Sequence, residues 1–193
     1  MEKITFLLKQ HIGAPSTPIV SVGDNILRGQ CIAEPSGLGA KIYSSVSGKV
    51  ESINDAEIVV LPDAEQSEDY VKIKECSSIL DTIYEAGIVG AGGAGFPTHI
   101  KLKANIPDGY VIANCVECEP ALHHNIRLIE EEPGLIIRGI RYAMEATNAK
   151  KAYIGIKSKN KKAIKAMEKY LDGANDIEIR ELKDVYPMGE ERA

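Results

Sequence analysis

AYIGIKSKNKKAIKAMEKYLDGANDIEIREL, residues 152–182, decides the fold class. Ala152 to Ile156 is a short run of β-forming residues and reads as a strand. From Lys159 to Leu171 the period changes. Ile164, Met167 and Leu171 fall on one side and lysines on the other, as in an amphipathic helix. Asp172-Gly173 stops that helix, and Ile177 to Leu182 is a second strand. Working back, Pro133 opens a helix whose stripe is Ile136, Ile140, Met144 and Thr147. Before it, Tyr110 to Cys115 is expected as a short buried strand. Strand–helix–strand–helix–strand predicts an α/β domain with a mostly parallel sheet and right-handed crossovers.

Upstream of about residue 75 the texture is different. Val, Ile, Ser, Gly and Pro dominate, and Ile19 to Val22, Lys49 to Ile53, Glu57 to Leu61 and Tyr70 to Ile73 read as strands between glycine turns. This predicts a small all-β domain over residues 1–75 and an α/β domain over 76–193. Between them, Ser77 or Ser78 caps a helix running to Ala86, which Gly87 ends. Val22-Gly23-Asp24, Arg28-Gly29-Gln30 and Ser45-Val46-Ser47-Gly48 resemble the biotinyl and lipoyl carrier domains, which are barrel-sandwich hybrids. Those carriers hold a lysine at the hairpin tip, which falls near Gly37 here. Lys41 is several residues too late, so no carrier role is expected.

The next segment, Gly90-Ala91-Gly92-Gly93-Ala94-Gly95-Phe96-Pro97-Thr98, is the most informative for function. Glycine loses the most entropy on ordering, so a glycine-rich loop makes sense where backbone must approach a ligand closely. Successive N–H groups can then point at a phosphate, with Lys101 placed to add charge. The match to a dinucleotide fingerprint is weak, because a helix precedes the loop and Pro97 interrupts the stretch after it. A Rossmann-type dehydrogenase and a purely structural loop in an assembly module remain as alternatives.

The Tyr110–Cys115 strand ends in Asn114, Glu117, Glu119 and Pro120, and in a parallel sheet strand ends line a ligand crevice. An asparagine amide can contact a ring edge, and glutamates can accept from ring N–H groups or ribose hydroxyls. Cys115, Cys118, His123 and His124 lack a second ligand pair at zinc-finger spacing, so no metal is expected. Cys31 and Cys76 read as small buried apolar residues.

Of the 193 residues, 26% are charged and 44% hydrophobic, with a net charge of −5. That excludes general disorder, and it leaves no basic surplus for nucleic acid. The longest uncharged stretch, Ala86 to Ile100, is too short and too rich in glycine for a membrane span. No signal peptide is recognised, which predicts a cytoplasmic location.

Gly90 to Thr98, Lys101, Asn114-x-x-Glu117-x-Glu119-Pro120 and Tyr186-x-x-Gly189-Glu190-Glu191 together resemble the flavin-binding domain of the NADH-oxidising subunit of respiratory complex I. They equally resemble the RnfC subunit of the Rnf electron-transport complex and its amino-acid-reductase-associated relatives. Lys9-Gln10-His11-Ile12-Gly13-Ala14-Pro15 and the sandwich after it point to the Rnf branch. The resemblance implies non-covalent FMN. Gly90, Gly92, Gly93 and Lys101 would hold its phosphate and ribityl chain, and Asn114 and Glu117 the polar edge of its ring. Tyr186, Gly189 and Glu190 would cover the same pocket, and Phe96, Glu119 and Glu191 would contact NADH. It also implies electron transfer to iron–sulfur centres and to ferredoxin or a reductase. Partner subunits would hold the protein at the inner face of the cell membrane. The chain departs from the complex I pattern at Ala91, Ala104 and Val116. It stops within the last motif, before any cluster-ligating cysteine run. A truncated piece with weak or no FMN binding is the expectation.

Overall fold

Short alternating runs build the N-terminal part of the chain. The computed structural model describes residues 2–91, 93–119 and 121–190. It divides into two compact units, Met1–Lys103 and Ala104–Ala193. In the first, β1 (Ile4–Leu7), β7 (Glu57–Pro62), β6 (Gly48–Ile53) and β3 (Asn25–Ile26) lie side by side in that order, all antiparallel. A second antiparallel sheet holds β2 (Thr17–Pro18), β4 (Cys31–Glu34) and β5 (Ile42–Tyr43). Val50, Ile58 and Val60 are buried while Lys49 and Leu61 turn outward, the two-residue period of a half-buried strand. Phe6, Leu8, Ile26, Ile32 and Ile42 complete that core. Each such side chain contributes about 1.5–3 kcal/mol relative to exposure. Asn54 turns β6 into β7, its Oδ1 accepting from the N–H of Ala56 (2.8 Å) and of Glu57 (3.0 Å).

Two expected strands do not form. Ile19 to Val22 is irregular and runs into the Gly23-Asp24 turn, where the Ser21 N–H donates to the Asp24 carboxylate at 2.8 Å. Tyr70 to Ile73 makes one backbone bond to the barrel, from the Val71 N–H to the Arg28 carbonyl (2.8 Å). A run without a row of partner groups is not a strand, whatever its β-propensity.

Helix α1 (Ile79–Glu85) starts where Ser78 Oγ accepts from the Asp81 N–H (3.1 Å), and it ends before Gly87, whose φ is +63°. The helix belongs to the first unit. Lys41 Nζ bridges Glu85 (2.9 Å) and Glu34 (3.3 Å), and the Tyr43 hydroxyl donates to the Glu85 carbonyl. The first unit therefore extends through the glycine loop and α2 (Thr98–Lys101), well past the change of texture near residue 75.

In the second unit, β8 (Tyr110–Asn114), β9 (Lys151–Lys157) and β10 (Ile177–Leu182) form a parallel sheet in the order β10-β9-β8. Helices α3 (His124–Glu131), α4 (Pro133–Thr147) and α5 (Lys161–Tyr170) supply Ile129, Ile137, Ile140, Met144, Ile164 and Met167 to its core. The α4 stripe passes through Ile137, with Ile136 only partly buried. Pro133 sits in the first turn, and Asn148 ends the helix at a φ of 57°. The expected buried strand at Tyr110–Cys115 is a sheet edge instead. Val111 and Ala113 face the core, but Ile112 is 71% exposed, because the three helices pack on the other face. Cys115 lies just past the strand and is buried, whereas Cys31 and Cys76 are only half-buried.

Candidate functional site

The glycine loop in the first unit is closed at its neck and open at its tip. The Gly90 N–H donates to the Phe96 carbonyl (2.9 Å), and the Thr98 N–H to the Ile88 carbonyl (3.0 Å). Gly90 is thus committed to the neck. The N–H groups of Ala91, Gly93, Ala94 and Gly95 have no acceptor among the described residues. Gly93 and Gly95 both have φ near +60°, a conformation L-residues avoid. A Cβ on Gly95 would also stand 3.0 Å from the Gln10 carbonyl oxygen, whereas Gly93 faces open space. Ala91, Gly93 and Ala94 are exposed and border a cleft of about 380 Å³. The barrel loop Lys9-Gln10-His11 borders it too, but Lys101, at the end of α2, does not. His11 is committed elsewhere. Its Nδ1 donates to the Ile12 carbonyl (3.0 Å), and its Nε2 accepts from the Ala40 N–H (3.2 Å). Phe96 is 36% exposed. Gly92 and Glu191 lie outside the described residues.

In the second unit the C-terminal turn is stitched onto the end of β8. Asn114 Nδ2 donates to the Gly189 carbonyl (2.8 Å), its Oδ1 accepts from the Val116 N–H (3.1 Å), and the Gly189 N–H donates to Cys118 Sγ (3.3 Å). A Cβ there would lie 2.7 Å from that sulfur and 3.1 Å from the Val116 carbonyl oxygen, so a larger residue would have to displace one of them. Asn114 is accordingly a strut between two loops. Each end of its amide makes one of the two bonds it can make.

Beside this junction is a cleft of about 480 Å³ bordered by Glu117, Glu119, His123, Lys157, Asp184 and Tyr186. The Glu117 side chain is 9% exposed. Its Oε1 accepts from the Asn125 N–H at 2.7 Å, and the Nδ1 atoms of His123 and His124 stand 3.9 and 3.8 Å from the carboxylate. Tyr186 is 78% exposed, and the Glu190 N–H donates to the Pro187 carbonyl (2.7 Å). Among the described residues no group of three or more His, Cys, Asp or Glu is arranged to hold a metal.

Two charged residues here were not anticipated. Lys157 ends β9 with its side chain only 8% exposed and pairs with Asp184 at 3.1 Å. Lys157 lies on the strand before the helix and is not part of its lysine face. Lys159 also pairs with Asp184 (2.8 Å), and together the two ammoniums hold that carboxyl below its ordinary value. Nothing in the local sequence marked the meeting. Lys9, by contrast, sits in the Lys9–Pro15 motif, and only its proximity to the glycine loop was hidden.

Comparison with known proteins gives a consistent family. Residues 83–193 match the model of the Nuo51 FMN-binding domain, and residues 1–74 match that of the RnfC barrel-sandwich hybrid domain. The chain is 37% identical to the C subunit of the proton-translocating ferredoxin:NAD(+) oxidoreductase complex of Clostridium ljungdahlii, over 99% of this chain and 46% of that protein. It is 32% identical to the Na(+)-translocating counterpart of Acetobacterium woodii, over 99% of this chain and 47% of that one. The chain thus spans about half the length of these curated relatives. Among solved structures, the NAD+-reducing NiFe hydrogenase in its air-oxidised state aligns with a TM-score of 0.51 at 30% identity, over 58% of this chain and 22% of that chain. With its sandwich, its parallel sheet and its glycine loop all accounted for, the chain belongs to the Nuo51 FMN-binding family, in the RnfC-like branch that carries a barrel-sandwich hybrid domain in front.

Proposed function

We infer that this chain is the FMN-binding part of an electron-transfer subunit that oxidises NADH, or runs reversibly, within an Rnf-type complex. One observation carries the reading. Four backbone N–H groups without an acceptor, at Ala91, Gly93, Ala94 and Gly95, border a cleft inside the segment that matches an FMN-binding family. Unpaired amides grouped on one cleft suit a phosphate, so the residues present fit the tail of FMN. Bound FMN would supply a ring that accepts hydride and releases electrons singly.

The chain's own residues divide the work. Gly90 holds the loop neck closed, and the amides after it bind the phosphate, while Lys101, outside the cleft, adds at most a longer-range charge. Glu117 accepts hydrogen bonds from the polar edge of the ring. Asn114 holds Gly189 in place, so that Tyr186, Gly189 and Glu190 form a fixed wall. Phe96 and Glu119 are assigned to NADH, the ring for stacking and the carboxylate for hydroxyl groups. Iron–sulfur centres, and ferredoxin or a reductase, follow as acceptors, with attachment to the membrane through partner subunits. No helix among the described residues is long and apolar enough to cross a membrane.

Titrating FMN and riboflavin against the protein, followed by flavin fluorescence, tests the assignment. FMN is expected to bind weakly but more tightly than riboflavin, and its visible absorption to fall when NADH is added without oxygen. No uptake of either flavin, or equal affinity for both, overturns it.

A further inference from the structure

The glycine cleft has a wall that the flavin-domain motif does not supply. Lys9, Gln10 and His11, in the loop that follows β1 of the barrel, border it together with Gly90, Gly93 and Gly95. The approach is close: a methyl group at Gly95 would stand 3.0 Å from the Gln10 carbonyl oxygen and 3.2 Å from the His11 Cα. His11 fixes that loop through its bonds to the Ile12 carbonyl and the Ala40 N–H, and its Nε2 lies 3.2 Å from Ser16 Oγ. Lys9 is exposed, has no ion-pair partner among the described residues, and is the one cation among the described residues bordering the cleft.

We propose that Lys9 of the barrel is the charged ligand of the phosphate group bound at the glycine loop, which makes the barrel-sandwich domain part of the anion site. The inference rests on the flavin reading for the identity of the ligand, but not for the anion chemistry. An ammonium bordering the same cleft as several unpaired amides supplies a charge-assisted donor set for a tetrahedral dianion. It gives no advantage to a ligand that lacks the phosphate.

Two titrations on the whole chain test it. In the first, inorganic phosphate is added and the Gly93 and Gly95 amide resonances are followed. In the second, FMN and riboflavin affinities are compared. Lys9→Gln is expected to weaken phosphate and FMN about tenfold, the loss of one partly solvated charge-assisted contact, and to leave riboflavin unchanged. Lys9→Arg should retain most of the affinity, and Lys72→Gln, on the same unit and away from the cleft, all of it. If the protein takes up FMN and Lys9→Gln leaves the FMN-to-riboflavin ratio intact, the Lys9 assignment is overturned while the flavin reading stands. If phosphate binds in a Lys9-dependent way but neither flavin does, the Lys9 assignment stands and the flavin reading falls. If neither phosphate nor flavin perturbs the loop, both are wrong.

Discussion

Gly93 and Gly95 share a backbone conformation and differ in their surroundings, and that difference is measurable. A β-carbon at φ near +60° costs about 1–2 kcal/mol at either position. At Gly95 it also presses on the Gln10 carbonyl oxygen, 3.0 Å away. Gly95→Ala is therefore expected to lower the stability of the first unit by more than Gly93→Ala in urea denaturation, and equal losses would contradict this packing. Cys115 tests the second unit in the same way. Burial pushes its thiol up to about 11, so little thiolate exists at neutral pH. Alkylation at about pH 8 is expected to leave Cys115 unmodified until the protein unfolds. His99 gives a pH dependence. Burial, with the nearby Lys103 charge, holds its pKa below the ordinary 6.5, its Nδ1 is buried without a partner, and its ring meets Tyr84 edge-on at 4.9 Å. The folded state therefore takes up this proton later than the unfolded chain, and stability falls as the pH drops from about 6.5 towards the lower folded value. The thermal midpoint is expected to fall between about pH 7 and pH 5, and less so in His99→Phe. A titration of His99 at its ordinary value, read by NMR, would remove the basis. At this scale the sequence was half legible. Asn114 and Glu117 were visible as polar residues after an apolar strand. Lys9, Lys157 and Asp184 were not, because each matters through a partner far along the chain.

Elements were more legible where one face is buried and less so where a partner decides. The α4 and α5 stripes and β10 follow periodicity, which a one-sided core enforces. The pairs β2–β4 and β4–β5 are too short for alternation to show, and Tyr70 to Ile73 has the pattern without a ladder. Helix α3 starts from His123, whose own side chain makes no cap, and its first turn is held instead by Glu117, six residues before that histidine, through the Asn125 N–H. The link between the end of β9 and the segment after β10 is the Lys157–Asp184 pair. Removing the carboxylate leaves a lysine side chain that is 8% exposed with less compensation. Asp184→Asn is expected to lower the chemical-denaturation midpoint of the second unit only slightly, since Asp184 is itself half in water and much of the pair's strength is screened. A chemical-denaturation midpoint unchanged by that substitution would show the pair to be incidental.

At the scale of the molecule, two cores share one chain. Ile58 and Ile154 are each fully buried, one in each core. Truncating either to alanine is expected to cost about 2–5 kcal/mol. Hydrogen exchange should localise the damage: Ile58→Ala exposes amides within residues 4–62, and Ile154→Ala those within 110–182. Faster exchange across both ranges from one substitution would mean a single cooperative body. The succession of a β domain and an α/β domain was legible because the hydrophobic period switches along the chain. The packing of α1 on the barrel was not, since a salt bridge and a glycine contact join them, and neither has a local signature. That junction bears on the likeness to carrier domains. Lys41 is flanked by two carboxylates and stands 5.3 Å from the centre of the Tyr84 ring. Burial works against its charge, yet the Glu85 and Glu34 hydrogen bonds prevail and raise its pKa well above that of a free lysine. An amine kept protonated and tucked away is no nucleophile. The scaffold can share a cell with the ligases that acylate its look-alikes and still offer them no substrate.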